Sequence, residues 1–373
     1  MEQKALPEVC HIQYGYPFDS KRFSDKEGFP LIRIRDVVRG HTETFTTESC
    51  NDEYIVKKGD ILIGMDGMFN VAKWKGNTAY LNQRVCKIEP NSSIVADYLF
   101  YYLPCALKKI ENKTAFVTVK HLKAKQLNSI LIPYPPVKEQ KRIAQILDLL
   151  FYLICQKKKQ LNYLDELVKS RFIEMFGHSD RPKVRLGECC IINPKKSSDI
   201  RLVDNDLMVS FVSMSDVSED GQIVTCNHKQ YESVKSGFTY FSENDVLFAK
   251  ITPCMENGKG GIAKGLLNGI GFGSTEFHVL RPIDQVSNSC WLYELTSFPQ
   301  FRQAAEINMT GSAGQRRVPA SFLANYKVSL PPISLQNQFA DFVHQLDKSK
   351  LAVQKSLDEL EILKKSLMQT YFG

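Results

Sequence analysis

Two long stretches of the chain have the hydrophobic pattern of amphipathic helices. In the first, apolar residues recur at steps of three and four, at Ile143, Leu147, Leu150, Ile154, Leu161, Leu164, Val168 and Phe172. This spacing predicts one helix of about ten turns, with an apolar stripe at the coiled-coil period. The second stretch has the same pattern at Phe339, Val343, Leu346, Val353, Leu357, Leu360 and Leu367. Because either stripe would be exposed to water on an isolated helix, we predict that the two helices pack against each other as an antiparallel pair.

The two helical stretches are copies of one sequence. Residues 135–177 align with residues 331–373 without a gap, and the match includes paired prolines at the start and Phe-Gly at the end. The prolines stop whatever precedes each helix, and Gly177 and Gly373 stand where a C-terminal glycine belongs. This match points to duplication, so the chain of 373 residues is predicted to have two similar halves.

A lysine interrupts each apolar stripe. Lys157 stands where the second copy has Val353, and Lys350 stands where the first copy has Ile154. In an antiparallel pair both lysines would lie near the middle and flank the crossing of the helices. The alternative is that both extend from a partly solvated face into water.

The segments before the helices have a different pattern. Short β-like runs lie between glycine-rich loops, at residues 31–35, 61–63, 85–88 and 130–132, and again at residues 209–214, 246–249, 277–280 and 326–330. Residues 32–37 and 59–62 also align with residues 212–217 and 244–247. We therefore predict a pseudo-twofold symmetric α+β fold. It has two similar mixed, strand-rich domains, separated by two long antiparallel helices that form a coiled coil, with segment bounds of 1–134, 135–177, 178–330 and 331–373.

Composition and charge fit a globular protein with a face that binds a polyanion. The chain is 43% hydrophobic and 24% charged, and 48 basic against 41 acidic residues give a net charge of +7. Its ten cysteines are scattered without a Cys-x-x-Cys pair, which argues against zinc and disulfides and favours reduced thiols. The N-terminal residues lack a secretory pattern and no apolar run approaches a membrane span, so we expect a cytoplasmic protein.

Motifs of common catalytic sites are absent from the sequence. There is no Asn-Pro-Pro-Tyr or Asp-Pro-Pro-Tyr tetrapeptide of amino-methylating enzymes and no phosphate-binding Gly-x-x-x-x-Gly-Lys-Ser/Thr loop. There is also no Gly-x-Ser-x-Gly elbow and no His-Glu-x-x-His, and the seven histidines are isolated. We therefore predict a protein without catalytic residues and without a bound metal.

The loops carry side chains that can read DNA bases. Arginine bridges two acceptors on guanine, and asparagine or glutamine does the same on adenine. Arg33 and Arg35 alternate along a predicted strand and would project from one face, while residues 82–84 follow a predicted loop at residues 73–75. The predicted DNA-binding residues are Arg33, Arg35, Lys73, Lys75, Asn82, Gln83, Arg84, Lys120, Lys250, Thr252, Asn257, Lys259, Ser274, Thr275, Gln315, Arg316 and Arg317. Each could instead belong to a solvated turn, but their recurrence at matched places in both halves favours binding.

Blocks along nearly the whole chain resemble a known family. They lie at residues 15–20, 30–36, 64–67 and 81–84 in the first half, and at residues 192–195, 271–277, 311–319 and 330–332 in the second. Together with the ungapped helical repeat, these blocks resemble the specificity (S) subunits of type I restriction-modification systems. The resemblance implies that each variable domain is a target recognition domain, which reads one half of a split, asymmetric DNA site.

The resemblance also implies partners. The helices would set the spacing between the half-sites and dock two methyltransferase subunits, and we assign this contact to Gln140, Ala144, Leu161, Leu164, Gln336, Ala340, Leu357 and Leu360. No cofactor is expected in this chain. S-adenosylmethionine would come with the methyltransferase subunits, and ATP and Mg²⁺ with two motor-nuclease (restriction) subunits.

A helix of about 35 residues is roughly 50 Å long, so the two domains could enter the major groove about one turn apart.

Two other functions fit the sequence. One is the reader subunit of a related type IIB-like restriction-methylation system, which neighbouring genes would distinguish. The other is a protein–protein adaptor, in which the coiled coil holds two ligand-binding domains without DNA. A lack of salt-dependent DNA binding, with and without methyltransferase subunits, would favour the adaptor. An autonomous DNA enzyme is disfavoured by the absent motifs.

Overall fold

The protein forms two compact units. The structure is a computed structural model that describes residues 2–113, 120–177, 183–199, 201–202, 206–225, 227–312 and 314–373. Unit 1 consists of residues 1–158 and 355–373, and unit 2 of residues 159–354. The two long helices, α5 (Val137–Phe176) and α11 (Ile333–Phe372), each have 40 residues and contribute to both units.

Unit 1 combines short strands with helices. Its strands are β1 (Gln3–Ala5), β2 (Cys10–Tyr14), β3 (Phe23–Ser24), β4 (Phe29–Ile32), β5 (Phe45–Thr46), β6 (Ile55–Val56), β7 (Ile61–Gly64), β8 (Val71–Lys73), β9 (Ala79–Leu81), β10 (Val85–Pro90) and β11 (Leu131–Pro133). Its shorter helices are α1 (Leu6–Val9), α2 (Ile34–Arg39), α3 (Ala96–Lys113) and α4 (Ala124–Asn128), with 3₁₀ turns at Ser20–Arg22 and Asp52–Tyr54. The strands pair in the orders β1-β11, β2-β10-β7-β8 and β3-β5-β4-β9-β6.

Unit 2 has the same kinds of elements. Its strands are β12 (Lys183–Arg185), β13 (Cys190–Ile192), β14 (Met208–Val212), β15 (His228–Gln230), β16 (Thr239–Ser242), β17 (Val246–Ala249), β18 (Gly260–Ile262), β19 (Ile270–Gly273), β20 (Phe277–Pro282) and β21 (Lys327–Ser329). Its shorter helices are α6 (Leu186–Cys189), α7 (Tyr231–Val234), α8 (Ser289–Ser297), α9 (Pro299–Ile307) and α10 (Ala320–Asn325), with 3₁₀ turns at Lys196–Ser198, Met214–Asp216 and Leu267–Gly269. The strand orders are β12-β21, β13-β20-β17-β18 and β15-β14-β19-β16.

The two units repeat one topology. The order β2-β10-β7-β8 corresponds to β13-β20-β17-β18, and the parallel pair β4–β9 corresponds to β14–β19. The inner strands β7 and β17 are buried because their apolar runs, residues 61–63 and 246–249, are continuous and not alternating. The predicted α+β fold with two similar strand-rich domains is confirmed.

Two aligned turns from the sequence have the same geometry in both units. The backbone N–H of Lys57 donates to the Asp60 carboxylate at 2.8 Å, and that of Ser242 donates to the Asp245 carboxylate at 2.7 Å. Between them, Gly59 and Asn244 both have positive φ, at 99° and 68°. Two residues therefore define the start of each inner strand. One is an aspartate that accepts a backbone hydrogen bond, and the other is a residue that tolerates the left-handed region.

The predicted strand over residues 31–35 is wrong at its end. β4 stops at Ile32, and helix α2 begins at Ile34 because the Asp36 carboxylate accepts the backbone N–H of Arg33 at 2.9 Å. Gly40, with φ of 75°, ends that helix. Arg33 and Arg35 are therefore not strand neighbours on one face.

The long helices run antiparallel within each unit. In unit 1, Ile143 and Leu147 from the first half of α5 share a core with Phe372 at the end of α11. In unit 2, Phe172 near the end of α5 contacts Phe339 near the start of α11, with ring centroids 5.5 Å apart. The start of one helix thus packs beside the end of the other in both units.

A buried glutamine ties the start of α5 to unit 1. Gln140 is fully buried, and its Nε2 donates to the carbonyl of Pro135 at 2.9 Å. Its Oε1 accepts the backbone N–H of Val95 at 2.9 Å. One side chain therefore satisfies a carbonyl just before the helix and an N–H just before helix α3.

Gln336 does the same at the start of α11 in unit 2. It is also fully buried, and its Nε2 donates to the carbonyls of Pro331 and Val286, both at 2.9 Å. Its Oε1 accepts the backbone N–H of Asn288 at 3.0 Å. The amide thereby holds the segment that leads into helix α8.

Half of the residues assigned to partner binding pack inside this chain. Gln140, Gln336, Ala144 and Leu357 are buried. The remaining assigned residues, Leu161, Leu164, Ala340 and Leu360, are half-buried. The physical reason is that an amphipathic stripe marks the face that a helix buries, and the chain fills this face itself.

The two interrupting lysines have different surroundings. Lys350 forms an ion pair with Asp165, with its Nζ 2.7 Å from Oδ1, so the charge in the second stripe meets a carboxylate on the other long helix. Lys157 is half-buried. In unit 1, Lys158 of α5 and Glu361 of α11 form a similar pair at 3.1 Å.

Cysteines, metal ligands and membrane spans add little to this picture. The nine cysteines that the structure describes are free thiols. Within the described ranges, no three His, Cys, Asp or Glu side chains are grouped so that they could hold a metal ion. None of the helices there combines the length and the apolar composition needed to cross a bilayer.

Replacing either glutamine should destabilise its own unit. We expect Gln336→Met to lower the free energy of unfolding of unit 2 by about 2 kcal/mol, because buried polar groups lose their partner. Each unit contains one of the two tryptophans, Trp74 and Trp291, and both are buried. Urea unfolding followed by Trp291 fluorescence, in a Trp74→Phe background, measures unit 2.

The control is Gln345→Met, on the exposed side of the same helix. It should leave the unfolding transition in place. Equal shifts in the two variants would show that the buried hydrogen bonds of Gln336 are not what stabilises the unit.

Candidate nucleic-acid interface

Three candidate loops of unit 2 meet at one junction. The backbone N–H of Lys250 donates to the carbonyl of Glu276 at 2.9 Å, which joins the end of β17 to the turn before β20. The N–H of Val318 donates to the carbonyl of Lys250 at 2.9 Å, and that of Thr252 donates to the carbonyl of Arg316 at 3.1 Å. The loops at residues 250–259, 274–276 and 315–317, which are far apart in sequence, therefore present their side chains together.

An arginine and a glutamate lie at the centre of this junction. The Nε of Arg317 donates to Glu276 Oε2 at 2.9 Å, and its Nη2 donates to Oε1 at 2.8 Å. The Arg317 hydrogen bonds lower the pKa of Glu276 below its ordinary value, and Lys250 acts in the same direction. Burial, with a smaller effect from Arg317, lowers the pKa of Lys250. Three charged side chains, Arg317, Glu276 and Lys250, are therefore close together at this junction.

The other candidates of unit 2 divide into two groups. Asn257, Thr275 and Gln315 are exposed at the loop tips, and Arg316 lies 3.8 Å from Glu256. The remaining candidates serve the fold through their polar groups. Thr252 donates its hydroxyl to Glu256, Ser274 Oγ accepts the N–H of Glu276, and Lys259 donates its ammonium to the carbonyl of Met214.

Unit 1 has the same junction with other side chains. The backbone N–H of Met65 donates to the carbonyl of Arg84 at 3.0 Å, and that of Leu122 donates to the carbonyl of Met65 at 2.7 Å. These bonds match those of Lys250 and Val318 in unit 2. The equivalent backbone positions thus hold Arg84 and His121 in unit 1, where unit 2 has Glu276 and Arg317.

A carboxylate also lies at the junction of unit 1. Asp66 Oδ1 is 2.7 Å from His121 Nδ1, and its Oδ2 is 3.4 Å from Arg84 Nε. Neither Asp66 nor His121 is among the DNA-binding residues predicted from the sequence. The available signals were the glycines on either side of residues 65–66 and the position of His121 beside Lys120.

Several predicted residues of unit 1 lie away from this junction or serve the fold. Arg33 precedes helix α2, and Arg35 on that helix donates to the Thr44 hydroxyl at 3.2 Å. Lys73 lies on β8, not in a loop, and pairs with Asp97. Lys120 donates its ammonium to the carbonyl of Glu111, and the Asn82 side chain is mostly buried and accepts the N–H of Gln83. Lys75 and Gln83 are exposed.

A basic and aromatic cavity opens beside the junction of unit 2. It has a volume of about 290 Å³, and Lys250 and Phe277 line it together with Lys196 and Phe238. Lys229 lies near the same aromatic wall, with its Nζ 5.7 Å from the centre of the Phe238 ring. Ammonium groups beside an aromatic surface suit a phosphate-bearing ligand.

A buried arginine that was not predicted from the sequence holds one of the candidate loops. Arg302 of α9 donates Nη1 to the carbonyl of Met255 at 2.9 Å and Nη2 to the carbonyl of Gly258 at 3.1 Å. Its Nε donates to the carbonyl of Thr296 at 2.8 Å. Because it contacts carbonyls on both sides of Asn257, it fixes the backbone that presents that residue.

Comparison with known proteins identifies relatives over the whole chain. The family model described as type I restriction modification DNA specificity domain matches residues 1–164 and 179–361. The chain is 41% identical, over 167 residues, to the type I restriction enzyme EcoBI specificity subunit of Escherichia coli, a match that covers 44% of this chain and 35% of that protein. It is 24% identical over 380 residues to the MjaVIII specificity subunit of Methanocaldococcus jannaschii, which covers 91% of this chain and 87% of that protein. The chain spans about a third of the length of the Escherichia coli relatives that it matches.

Solved structures share the fold. The S subunit of a type I restriction-modification system from M. genitalium superimposes with a TM-score of 0.57 at 12% identity, covering 100% of this chain and 96% of that one. A chain from a structure of type I R-M complex assembly and conformational transition has a TM-score of 0.56 at 17% identity, covering 100% and 97%. The family model matches this chain twice and covers most of the chain's residues, so this protein belongs to the family of type I restriction modification DNA specificity domains.

Proposed function

We propose that this chain is the DNA sequence-recognition subunit of a type I restriction-modification complex, and that each unit reads one half of a bipartite, asymmetric site. The observation that carries this proposal is the repeated junction. The same backbone hydrogen bonds join three segments in each unit, while the side chains at equivalent positions differ, with Arg84 and His121 in one and Glu276 and Arg317 in the other. One scaffold with two sets of polar groups suits two readers of different sequences.

The exposed polar groups at the junctions would make the base contacts. In unit 1 these are Gln83 and Arg84, and in unit 2 they are Thr275, Gln315 and Arg317. Exposed lysines such as Lys75 would contact phosphates, which adds affinity that falls steeply with salt but carries no sequence information. The net charge of +7 supports this part of the proposal.

The long helices would set the spacing between the two half-sites. Each has 40 residues and is therefore about 60 Å long, compared with about 34 Å for one turn of B-DNA. A helix is stiff over this length when its apolar stripe is packed. We propose that helix length, and not loop length, fixes the separation of the bases that are read.

A second apolar stripe on α5 would dock a methyltransferase subunit. At about 100° per residue, its members fall within one sector of about 100°, away from the buried stripe. They are the exposed residues Leu149, Tyr152 and Leu153 of unit 1. At the three matching positions α11 has polar residues, namely Gln345, Lys348 and Ser349. An exposed apolar stripe of this kind marks a protein-binding surface, and the family implies its occupant.

The chain would contribute recognition only, with S-adenosylmethionine held by two methyltransferase subunits, and ATP and Mg²⁺ held by two restriction subunits. The complex would work on chromosomal DNA in the cytoplasm. No step of methylation or cleavage would use a residue of this chain.

Arg84→Ala should alter one half of the recognised site only. We expect a loss of base preference at one position, by about ten- to a hundredfold, because a bidentate arginine contact is removed. The measurement is mapping of methylated DNA in cells that express the chain with its methyltransferase subunits. Arg39→Ala, an exposed arginine of the same unit, is the control and should leave the motif unchanged. Equal loss in both halves would indicate misfolding and contradict a reading role.

Lengthening both long helices should widen the gap between the half-sites. One extra turn of four residues in each helix, placed after Lys158 and after Gln354 where the units divide, adds about 6 Å. We expect methylation mapping to show the same half-sites with a gap longer by about one or two base pairs. An unchanged gap would rule out the helices as the ruler.

Leu149→Lys should weaken docking of the methyltransferase subunit by about tenfold or more, since it removes apolar contact and introduces a charge. Quantitative co-purification or calorimetry with the methyltransferase subunit measures this. The matched control is Gln345→Lys, at the same repeat position of α11. If both variants bind alike, the α5 stripe is not the docking surface.

A further inference from the structure

We propose that Glu276 and Asp66 are positioning residues, each of which holds a reading arginine, Arg317 or Arg84, so that its free donors contact a guanine. This inference rests on the proposed function and specifies its chemistry. It assigns a role to two carboxylates that would otherwise repel DNA. It also assigns one base type to each half-site.

The hydrogen bonds of Arg317 leave one edge of its guanidinium available. A guanidinium has five N–H donors in a fixed plane. Among the described residues, Nε and Nη2 donate to Glu276, and Nη1 donates to the carbonyl of Gln315 at 3.1 Å. Three donors are therefore used, and two remain for a ligand. The side chain of Arg317 is 42% exposed, so this ligand can come from solvent.

Guanine is the base that matches two adjacent donors. In the major groove it presents N7 and O6 as neighbouring acceptors, whereas adenine presents one acceptor and one donor. An arginine that is already fixed by Glu276 loses less side-chain freedom on binding, which strengthens the contact. The ion pair also compensates the negative charge of Glu276, so the carboxylate does not face phosphates unpaired.

Unit 1 also has an arginine–carboxylate ion pair at its junction, through one contact of 3.4 Å between Arg84 Nε and Asp66 Oδ2 and on other backbone positions. In unit 2 the arginine lies on the third segment and the carboxylate on the turn before β20. In unit 1 the arginine, Arg84, lies on the equivalent turn, and the carboxylate, Asp66, comes from the loop after β7. Because the two pairs use different backbone positions, they are not simply a retained copy of one ancestral pair. Asp66 also contacts His121 at 2.7 Å, which holds the carboxylate in place.

The experiment compares methylated motifs from cells that express the full chain with its methyltransferase subunits. For Glu276→Gln we expect the half-site read by unit 2 to lose its preference for one guanine by on the order of ten- to a hundredfold, with the other half-site unchanged. Asp66→Asn should produce the same loss at one guanine of the other half-site. The matched control is Glu232→Gln, whose carboxylate pairs with Lys235 at 2.6 Å outside the junction, and it should leave both half-sites unchanged.

A second variant and a second substrate keep the inference testable if Glu276→Gln does not fold, which Trp291 fluorescence would reveal. Arg317→Lys retains the charge but lacks two coplanar donors, so it should lose preference at the same guanine. Wild-type complex should also bind an oligonucleotide less tightly when 7-deazaguanine, which lacks the N7 acceptor, replaces that guanine.

The inference is overturned if the variants leave every position unchanged, if the affected position is not a G·C pair, or if 7-deazaguanine has no effect. A wild-type chain that yields no bipartite motif would instead overturn the proposed function. The two failures are therefore distinguishable.

Discussion

The core of each unit depends on the C-terminal end of one long helix, which packs there beside other buried side chains of the unit. In unit 1, Phe372 of α11 packs into the core beside Tyr98, and in unit 2, Phe172 and Phe176 of α5 pack beside Phe339. A buried aromatic ring contributes a large apolar area, so neither unit has a complete core without that contact. A single residue inserted within one unit's segment of a long helix would rotate every later side chain of that segment by about 100° and move the aromatic residue off its site.

The junctions show how side chains can differ on one backbone arrangement. Backbone hydrogen bonds fix the three segments, and these bonds do not depend on side-chain identity. Side chains at the same positions can therefore change from Arg84 to Glu276 without loss of the fold. The carboxylates and the arginines are linked in another way, since replacing one without the other would leave an unpaired charge at the junction.

The sequence predicted those features that depend on local pattern. The apolar stripes located both long helices, and continuous apolar runs located the inner strands β7 and β17. The hydrophobic pattern gave wrong predictions where a single polar side chain determines the local structure. Arg33 and Arg35 looked like strand residues because the alternation continued, but the Asp36 carboxylate starts a helix there. Gln140 and Gln336 looked like surface residues, because a pattern does not reveal that both ends of a buried amide are satisfied. The convergence of three distant loops, and with it Asp66 and His121, required the tertiary structure.

The way the chain is divided between the units has a consequence for its synthesis. Unit 2 is one continuous segment, residues 159–354, whereas unit 1 needs residues 355–373 to complete a core that begins at the N-terminus. Domains generally fold as they leave the ribosome, in the order in which they are made. Here the ring of Phe372 emerges only after all of unit 2. The unit that is translated first is therefore the last to be completed, and until then its apolar surface around Tyr98 stays open to water.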